Sequence, residues 1–219
     1  MKAMHIDDVL DRAHVVSLPL AVRFRGITTR EALLIDGPAG WGEFAPFLEY
    51  GPAESAAWLR AGIEAAYEGF PEPVRDSIEV NATIPAVPAS EVPAVVERYP
   101  GCRTFKIKVA EKGHTLADDA ARVRAVRDTI TQRGEIPILR VDANGGWTVE
   151  EAVQAAQMMM PLDYMEQPCA TTEELAQVRG RLMRAGLFVR VAADESIRKV
   201  ADPYRVAELQ AADVAVVKP

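Results

Sequence analysis

The chain has 219 residues, 49% hydrophobic and 26% charged, an ordinary globular composition with enough apolar residues for a sizeable core. Its formal net charge of −7 argues against a surface for nucleic acid or an anionic membrane. No apolar run reaches the roughly 18 residues of a membrane helix, and MKAMHIDDVLDRAHVV carries acids where a signal peptide needs a basic stretch, so a cytoplasmic protein is expected.

In chain order, residues 1–78 read as a small α+β unit. HVVSLPLAVRF and REALLIDGPAGWGEFAPF read as two antiparallel strands with a turn at Gly37–Gly40. AESAAWLRAGIEAAYEGF follows as a helix with Ala57, Trp58, Ala61 and Ala65 on one face. From residue 79 the rhythm becomes strand–helix alternation. SIEVNATIPAV is a strand, and a helix runs from Pro88 to before Pro100. FKIKVA precedes the helix TLADDAARVRAVRDTIT, and ILRVDAN precedes TVEEAVQAAQMMM, where Thr148 and Glu151 form a capping box. LDYMEQP precedes TTEELAQVRGRLMRA, which opens with the same Thr-x-x-Glu pattern. LFVRVAADES precedes DPYRVAELQA, with Asp202 as N-cap and Pro203 at N1; DVAVVKP is the sixth strand. Six strands alternating with five helices predict a right-handed parallel sheet of TIM-barrel type.

Five apolar runs end in charge. Lys108, Asp142, Glu166, Asp194 and Lys218 are spaced by 34, 24, 28 and 24 residues, about one strand-plus-helix unit each. That spacing puts them on one rim of a parallel barrel, where active sites are built. Three carboxylates suit a hard divalent cation, and the lysines beside them suit acid/base work. Asn144 and Glu195 are placed to orient the ligands. Lys106 and Lys108 share a face because strand side chains alternate; two ammonium groups on one interior face are expected to lower each other's pKa. Arg23 and Arg25 are candidates for an anionic substrate group, and Asn81 for the pocket lining. Cys102 and Cys169 match no disulfide or zinc spacing and read as reduced thiols. His5, His14 and His114 read as surface residues, Met158–Met160 as helix packing, and Trp147 as a shield of the rim or a packing residue.

KIK, DAN, EQP, ADES and VVKP, in this order, resemble the enolase superfamily in its muconate-lactonizing-enzyme-like branch, and GWGEFAP resembles that branch's capping domain. HVVSLPLAVRFRGITTREALLI, FLEYGPAESAAWL and IEVNATIPAV are most similar to its o-succinylbenzoate synthase group. The resemblance implies an N-terminal α+β capping domain, 1–78, on a modified (β/α)7β barrel, 79–219. It implies Mg2+ on Asp142, Glu166 and Asp194, with Mn2+ a substitute, and Lys108 and Lys218 facing each other across a small-molecule carboxylate. The implied reaction is dehydration of 2-succinyl-6-hydroxy-2,4-cyclohexadiene-1-carboxylate to 2-succinylbenzoate, a step of menaquinone biosynthesis. There Lys108 takes the proton alpha to the carboxylate and then helps hydroxide leave, Lys218 stabilises charge, and Lys106 keeps the pKa of Lys108 low. The same machinery serves N-succinylamino acid racemases and dipeptide epimerases, so these stay open, as does the oligomeric state. Because no segment follows the sixth strand to cover its edge, the chain is also expected to be a piece of one about 100 residues longer, by the usual size of such barrels. A non-catalytic fragment is therefore a further alternative.

Overall fold

A computed structural model describes residues 5–24 and 27–217, the side chains of 22–24 excepted, and divides them into two compact units at Ser77/Ile78. In the first unit, α1 (Ile6–Leu10) is a single helical turn that the sequence reading missed; His5 caps it in a capping box with Asp8. Strands β1 (Ala13–Phe24), β2 (Ile27–Gly37) and β3 (Gly40–Phe44) form an antiparallel sheet in that order. The turn expected at Gly37–Gly40 joins β2 to β3, with Gly37 paired to Gly40, so the sheet has three strands where two were expected. Helix α2 (Pro52–Tyr67) lies on this sheet at backbone distance. A Cβ on Gly42 would sit 1.9 Å from the Gly62 carbonyl oxygen, so only glycine fits there.

The second unit carries a six-stranded parallel sheet in chain order: β4 (Asn81–Ile84), β5 (Thr104–Lys108), β6 (Ile138–Asp142), β7 (Tyr164–Glu166), β8 (Arg190–Ala193) and β9 (Val214–Ala215). Helices α3 (Val92–Val96), α4 (Leu116–Thr131), α5 (Val149–Met159), α6 (Thr172–Arg184) and α7 (Asp202–Glu208) connect them. Thr148 with Glu151 and Thr171 with Glu174 form the expected capping boxes, and Thr115 with Asp118 forms a third. Phe105, Ile107, Val141, Met165 and Val191 face the helices fully buried, while Lys106, Lys108, Arg140, Asp142, Tyr164 and Glu166 alternate with them on the other face. In β5, β6 and β7 one face is therefore apolar core and the other carries polar and charged side chains.

Several boundaries differ from the sequence reading; the helix expected from Pro88 to before Pro100 is a 3-10 turn, Ala89–Glu91, followed by α3 alone. Strand β4 starts at Asn81, not at residue 77, because β5 offers its first partner at Thr104; Ile78 and Val80 are left exposed. Asp202 is the first residue of α7 rather than its cap. The N-cap is Ala201, and the Asp202 carboxylate turns back to accept the Lys199 N–H at 2.9 Å. Residues 195–197 form a 3-10 turn directly after Asp194.

A buried ion pair supports the loop after β5. Asp119 and Arg122 are both 1% exposed and bonded at 2.7 Å. Arg122 also donates to the Val87 carbonyl at 2.6 Å and the Lys108 carbonyl at 3.0 Å, and Asp119 accepts the Ala110 N–H at 2.9 Å. His114, read as a surface residue, is exposed but its Nδ1 lies 2.7 Å from Arg122. The backbone at Lys108 and just after it is thereby fixed by charge-assisted hydrogen bonds. Ala110 can hold its left-handed conformation, φ +58, because Asp119 grips its N–H.

Candidate metal and catalytic site

The parallel register sets the site. Lys108 pairs with Asp142 and Asp142 with Glu166 across β5, β6 and β7, so three charged residues stand side by side at the strands' C-terminal ends. Asp194 follows β8 by one residue. The Lys108 ammonium donates to Asp142 Oδ2 at 2.6 Å and to Asn144 Oδ1 at 2.7 Å. The Lys106 ammonium lies 3.0 Å from Glu166 Oε1 and 3.3 Å from Asp142 Oδ2. Asn144 donates its backbone N–H to Asp142 Oδ1 at 3.1 Å and its side-chain amide to Glu195 Oε1 at 3.2 Å. Glu195 also accepts from Arg198 at 2.6 Å. Asn144 adopts the left-handed φ of +46 that its residue type tolerates. The structure therefore brings Lys106, Lys108, Asp142, Asn144, Glu166 and Glu195 into one linked set.

The electrostatics are those of charge packed against charge. Asp142 and Glu166 are 1% exposed. Burial first, and then the neighbouring Asp142 charge, push the Glu166 carboxyl above the ordinary carboxylate range, against the opposing pull of Lys106. At Lys106, burial alone would lower the pKa, but the hydrogen bond and charge of Glu166, with those of Asp142, outweigh it and hold the ammonium above its usual value. The expected lowering by a neighbouring ammonium is thus reversed at Lys106, because its nearest neighbours are carboxylates.

The lysine ammonium groups supply the positive charge beside Asp142 and Glu166. Among the described residues, no three His, Cys, Asp or Glu side chains are gathered in metal-holding geometry. Carboxylate oxygens are nevertheless the donors that a hard divalent ion takes. Glu166 Oε2 is buried and finds no hydrogen-bond partner among the described residues, and Glu195 Oε2 is in the same condition. A buried carboxylate oxygen without a partner is costly unless something positive meets it.

The other expected residues fall elsewhere. Asn81 starts β4, and its Oδ1 accepts from Arg140 at 3.2 Å, deeper along the sheet than the charged rim. The Arg23 side chain, Arg25 and Lys218 lie outside the described residues. Trp147 is buried, its backbone N–H donating to the Pro168 carbonyl at 3.1 Å, and belongs to the core rather than the rim. Burial pushes the Cys169 thiol up to about 12, so it packs as a neutral side chain.

A second polar cluster escaped the sequence reading. Asp163 accepts from Arg140 Nε at 2.9 Å and from Arg190, and the Arg140 guanidinium lies 4.8 Å from the centre of the Tyr164 ring. Burial pushes the Asp163 carboxyl up, but the hydrogen bonds from Arg140 and Arg190 outweigh it and hold it below its ordinary 3.8. Such a group contributes stability that is complete above the unfolded value and is lost as pH falls through the lower folded value. Asp163→Asn is accordingly expected to lower Tm at neutral pH, and the gap from the parent protein should close on acidification through that range. A gap that stays constant in melts taken from pH 7 down would contradict the assignment.

Comparison with known proteins bears on the family and the fold. A family model described as enolase N-terminal domain-like matches residues 15–66, and one described as enolase C-terminal domain-like matches residues 89–219. The chain is 57% identical to an o-succinylbenzoate synthase of Mycolicibacterium smegmatis and 58% identical to one of Mycobacterium leprae, over 97% of its own length in both. It spans 64% and 61% of those proteins, less than two thirds of each. Similar solved structures include a substrate-liganded L-Ala-D/L-Glu epimerase from Bacillus subtilis, with TM-score 0.68 and 24% identity over 93% of this chain and 72% of that one. An o-succinylbenzoate synthase from Thermosynechococcus elongatus BP-1, complexed with Mg in its active site, has TM-score 0.67 and 20% identity over 94% of this chain and 75% of that one. At such identities the two structures speak for the fold alone. The C-terminal model spans more than half of the chain, over the strands that present the charged rim, and the chain belongs to the enolase superfamily.

Proposed function

We propose that the protein containing this chain is a Mg2+-dependent dehydratase that converts 2-succinyl-6-hydroxy-2,4-cyclohexadiene-1-carboxylate to 2-succinylbenzoate and water, a cytoplasmic step of menaquinone biosynthesis. The observation that carries the reading is the lateral row Lys108, Asp142, Glu166 at the strand ends, with a buried Glu166 oxygen that has no hydrogen-bond partner among the described residues. The mycobacterial relatives called o-succinylbenzoate synthase support the choice of substrate.

Asp142, Glu166 and Asp194 would hold Mg2+, which when bound would neutralise charge developing on the substrate carboxylate. Lys108, as the free amine, takes the proton from the carbon alpha to that carboxylate. The same nitrogen, now an ammonium, returns the proton to the departing hydroxyl as the carbon–oxygen bond breaks, so one water leaves and the ring becomes aromatic. Asn144 fixes the Lys108 nitrogen by its 2.7 Å contact, and the Arg122 bond to the Lys108 carbonyl fixes the backbone behind it. Lys106 remains an ammonium and keeps a positive charge between Asp142 and Glu166. By the family resemblance, Lys218 would face Lys108 across the substrate and stabilise the anionic intermediate as an ammonium.

The test is to add the cyclohexadiene substrate to the full-length protein and follow diene absorbance. Mg2+-dependent loss of the diene with appearance of the aromatic product is expected. An unchanged diene together with racemisation of an N-succinylamino acid or epimerisation of a dipeptide would assign the chain to one of the other reactions of this machinery.

A further inference from the structure

Gln167 follows Glu166 and is fully buried. It touches every loop that carries a candidate metal ligand. Its backbone carbonyl accepts from the Gly145 N–H at 2.7 Å, in the loop after Asp142, and its backbone N–H donates to the Ala192 carbonyl of β8 at 2.8 Å. Its side-chain Oε1 accepts from the backbone N–H of Asp194 and of Ser196, both at 3.1 Å. Its Nε2 donates to the Cys169 carbonyl at 3.0 Å and to Ser196 Oγ at 2.7 Å. Both acceptor positions and both donors of the amide are used, which is the full capacity of a glutamine. The residue does this with a left-handed φ of +37, a conformation unfavourable for a long side chain and kept only where the surroundings over-determine it.

We infer that Gln167 is a positioning residue that sets the mutual spacing of the Asp142, Glu166 and Asp194 carboxylates and thereby the affinity for the divalent cation. The inference rests on the metal reading given under the proposed function. The side-chain amide locates the backbone of Asp194 directly, and the backbone bonds tie the chain beside Glu166 to the loop of Asp142 and to β8. A side chain one methylene shorter cannot span to Asp194 and Ser196 from the same backbone. A carboxylate at 167 would set an acceptor against the Cys169 carbonyl. A hydrocarbon of equal length would leave the buried N–H groups of Asp194 and Ser196 and the Cys169 carbonyl without this partner.

Gln167→Asn separates positioning from mere loop stability. Asparagine tolerates a left-handed φ better than glutamine, so the fold is expected to persist while the amide withdraws from Asp194. The readout is the Kd for Mn2+, taken from the electron paramagnetic resonance signal of free Mn2+, with circular dichroism confirming that the protein is folded. Weakening by about 10- to 100-fold, the usual effect of losing a residue that orients ligands, is expected. Should Gln167→Asn fail to fold, Gln167→Met, which preserves length and burial, is judged by the same criterion. A folded variant that binds Mn2+ within twofold of the parent protein would overturn the role of Gln167 and leave the metal reading intact. A parent protein that binds no Mn2+ would overturn both.

Discussion

Lys108→Arg is expected to lower turnover about 10^4-fold, the upper end of what one general acid/base contributes, because this nitrogen serves in both proton transfers. Arginine retains the positive charge and a donor for Asp142, but it does not deprotonate in a protein and cannot act as a base. The substitution therefore separates proton transfer from electrostatics at a site where both are present, since Lys108 stands 2.6 Å from Asp142. Lys108→Ala should be as inactive, with Mn2+ affinity changed by no more than a few-fold in either variant. Turnover by Lys108→Arg near that of the parent protein would remove Lys108 from the role of base.

Glu166→Gln is expected to cost about 10^3-fold in turnover and to abolish its dependence on Mg2+, as several kcal/mol of charge stabilisation would be lost at about tenfold per 1.4 kcal/mol. The substitution conserves shape, so the buried end of β7 should remain folded between its neighbours. Glutamine removes the negative charge that burial and Asp142 already disfavour, and it leaves Lys106 with Asp142 as its remaining charged contact. A titration of turnover against Mg2+ decides the matter. A saturable Mg2+ response of ordinary midpoint in Glu166→Gln would show that the ion is held elsewhere.

Much of the site was legible because each element of it obeys a local rule. A carboxylate ending a short apolar run, repeated at strand-plus-helix intervals, has one geometric meaning in a parallel sheet, and the register Lys108, Asp142, Glu166 follows from it. The capping boxes at Thr148 and Thr171 were legible for the same reason, each lying within four consecutive residues. Arg122 was not legible. On its helix it reads like the solvent-facing Arg124, and only the return of Val87 and Lys108 carbonyls around it turns it into a buried hub. Gln167 is visible within EQP, but its partners Asp194 and Ser196 lie 27 and 29 residues away and belong to the next strand's loop. The lysine pair misled in a similar way. Two ammonium groups two residues apart imply repulsion, whereas the carboxylates of β6 and β7 surround Lys106 and raise its pKa. The start of β4 depended on where β5 begins, which no pattern within residues 77–87 could supply.

The proposed function requires one divalent cation held by Asp142, Glu166 and Asp194 beside Lys108. Crystals of the full-length protein grown with Mn2+ and measured at the manganese absorption edge test it most directly. A single anomalous peak is expected in contact with oxygens of all three carboxylates, with the Lys106 ammonium withdrawn from Glu166. A peak at other residues, or three carboxylates that stay apart at saturating Mn2+, would contradict it.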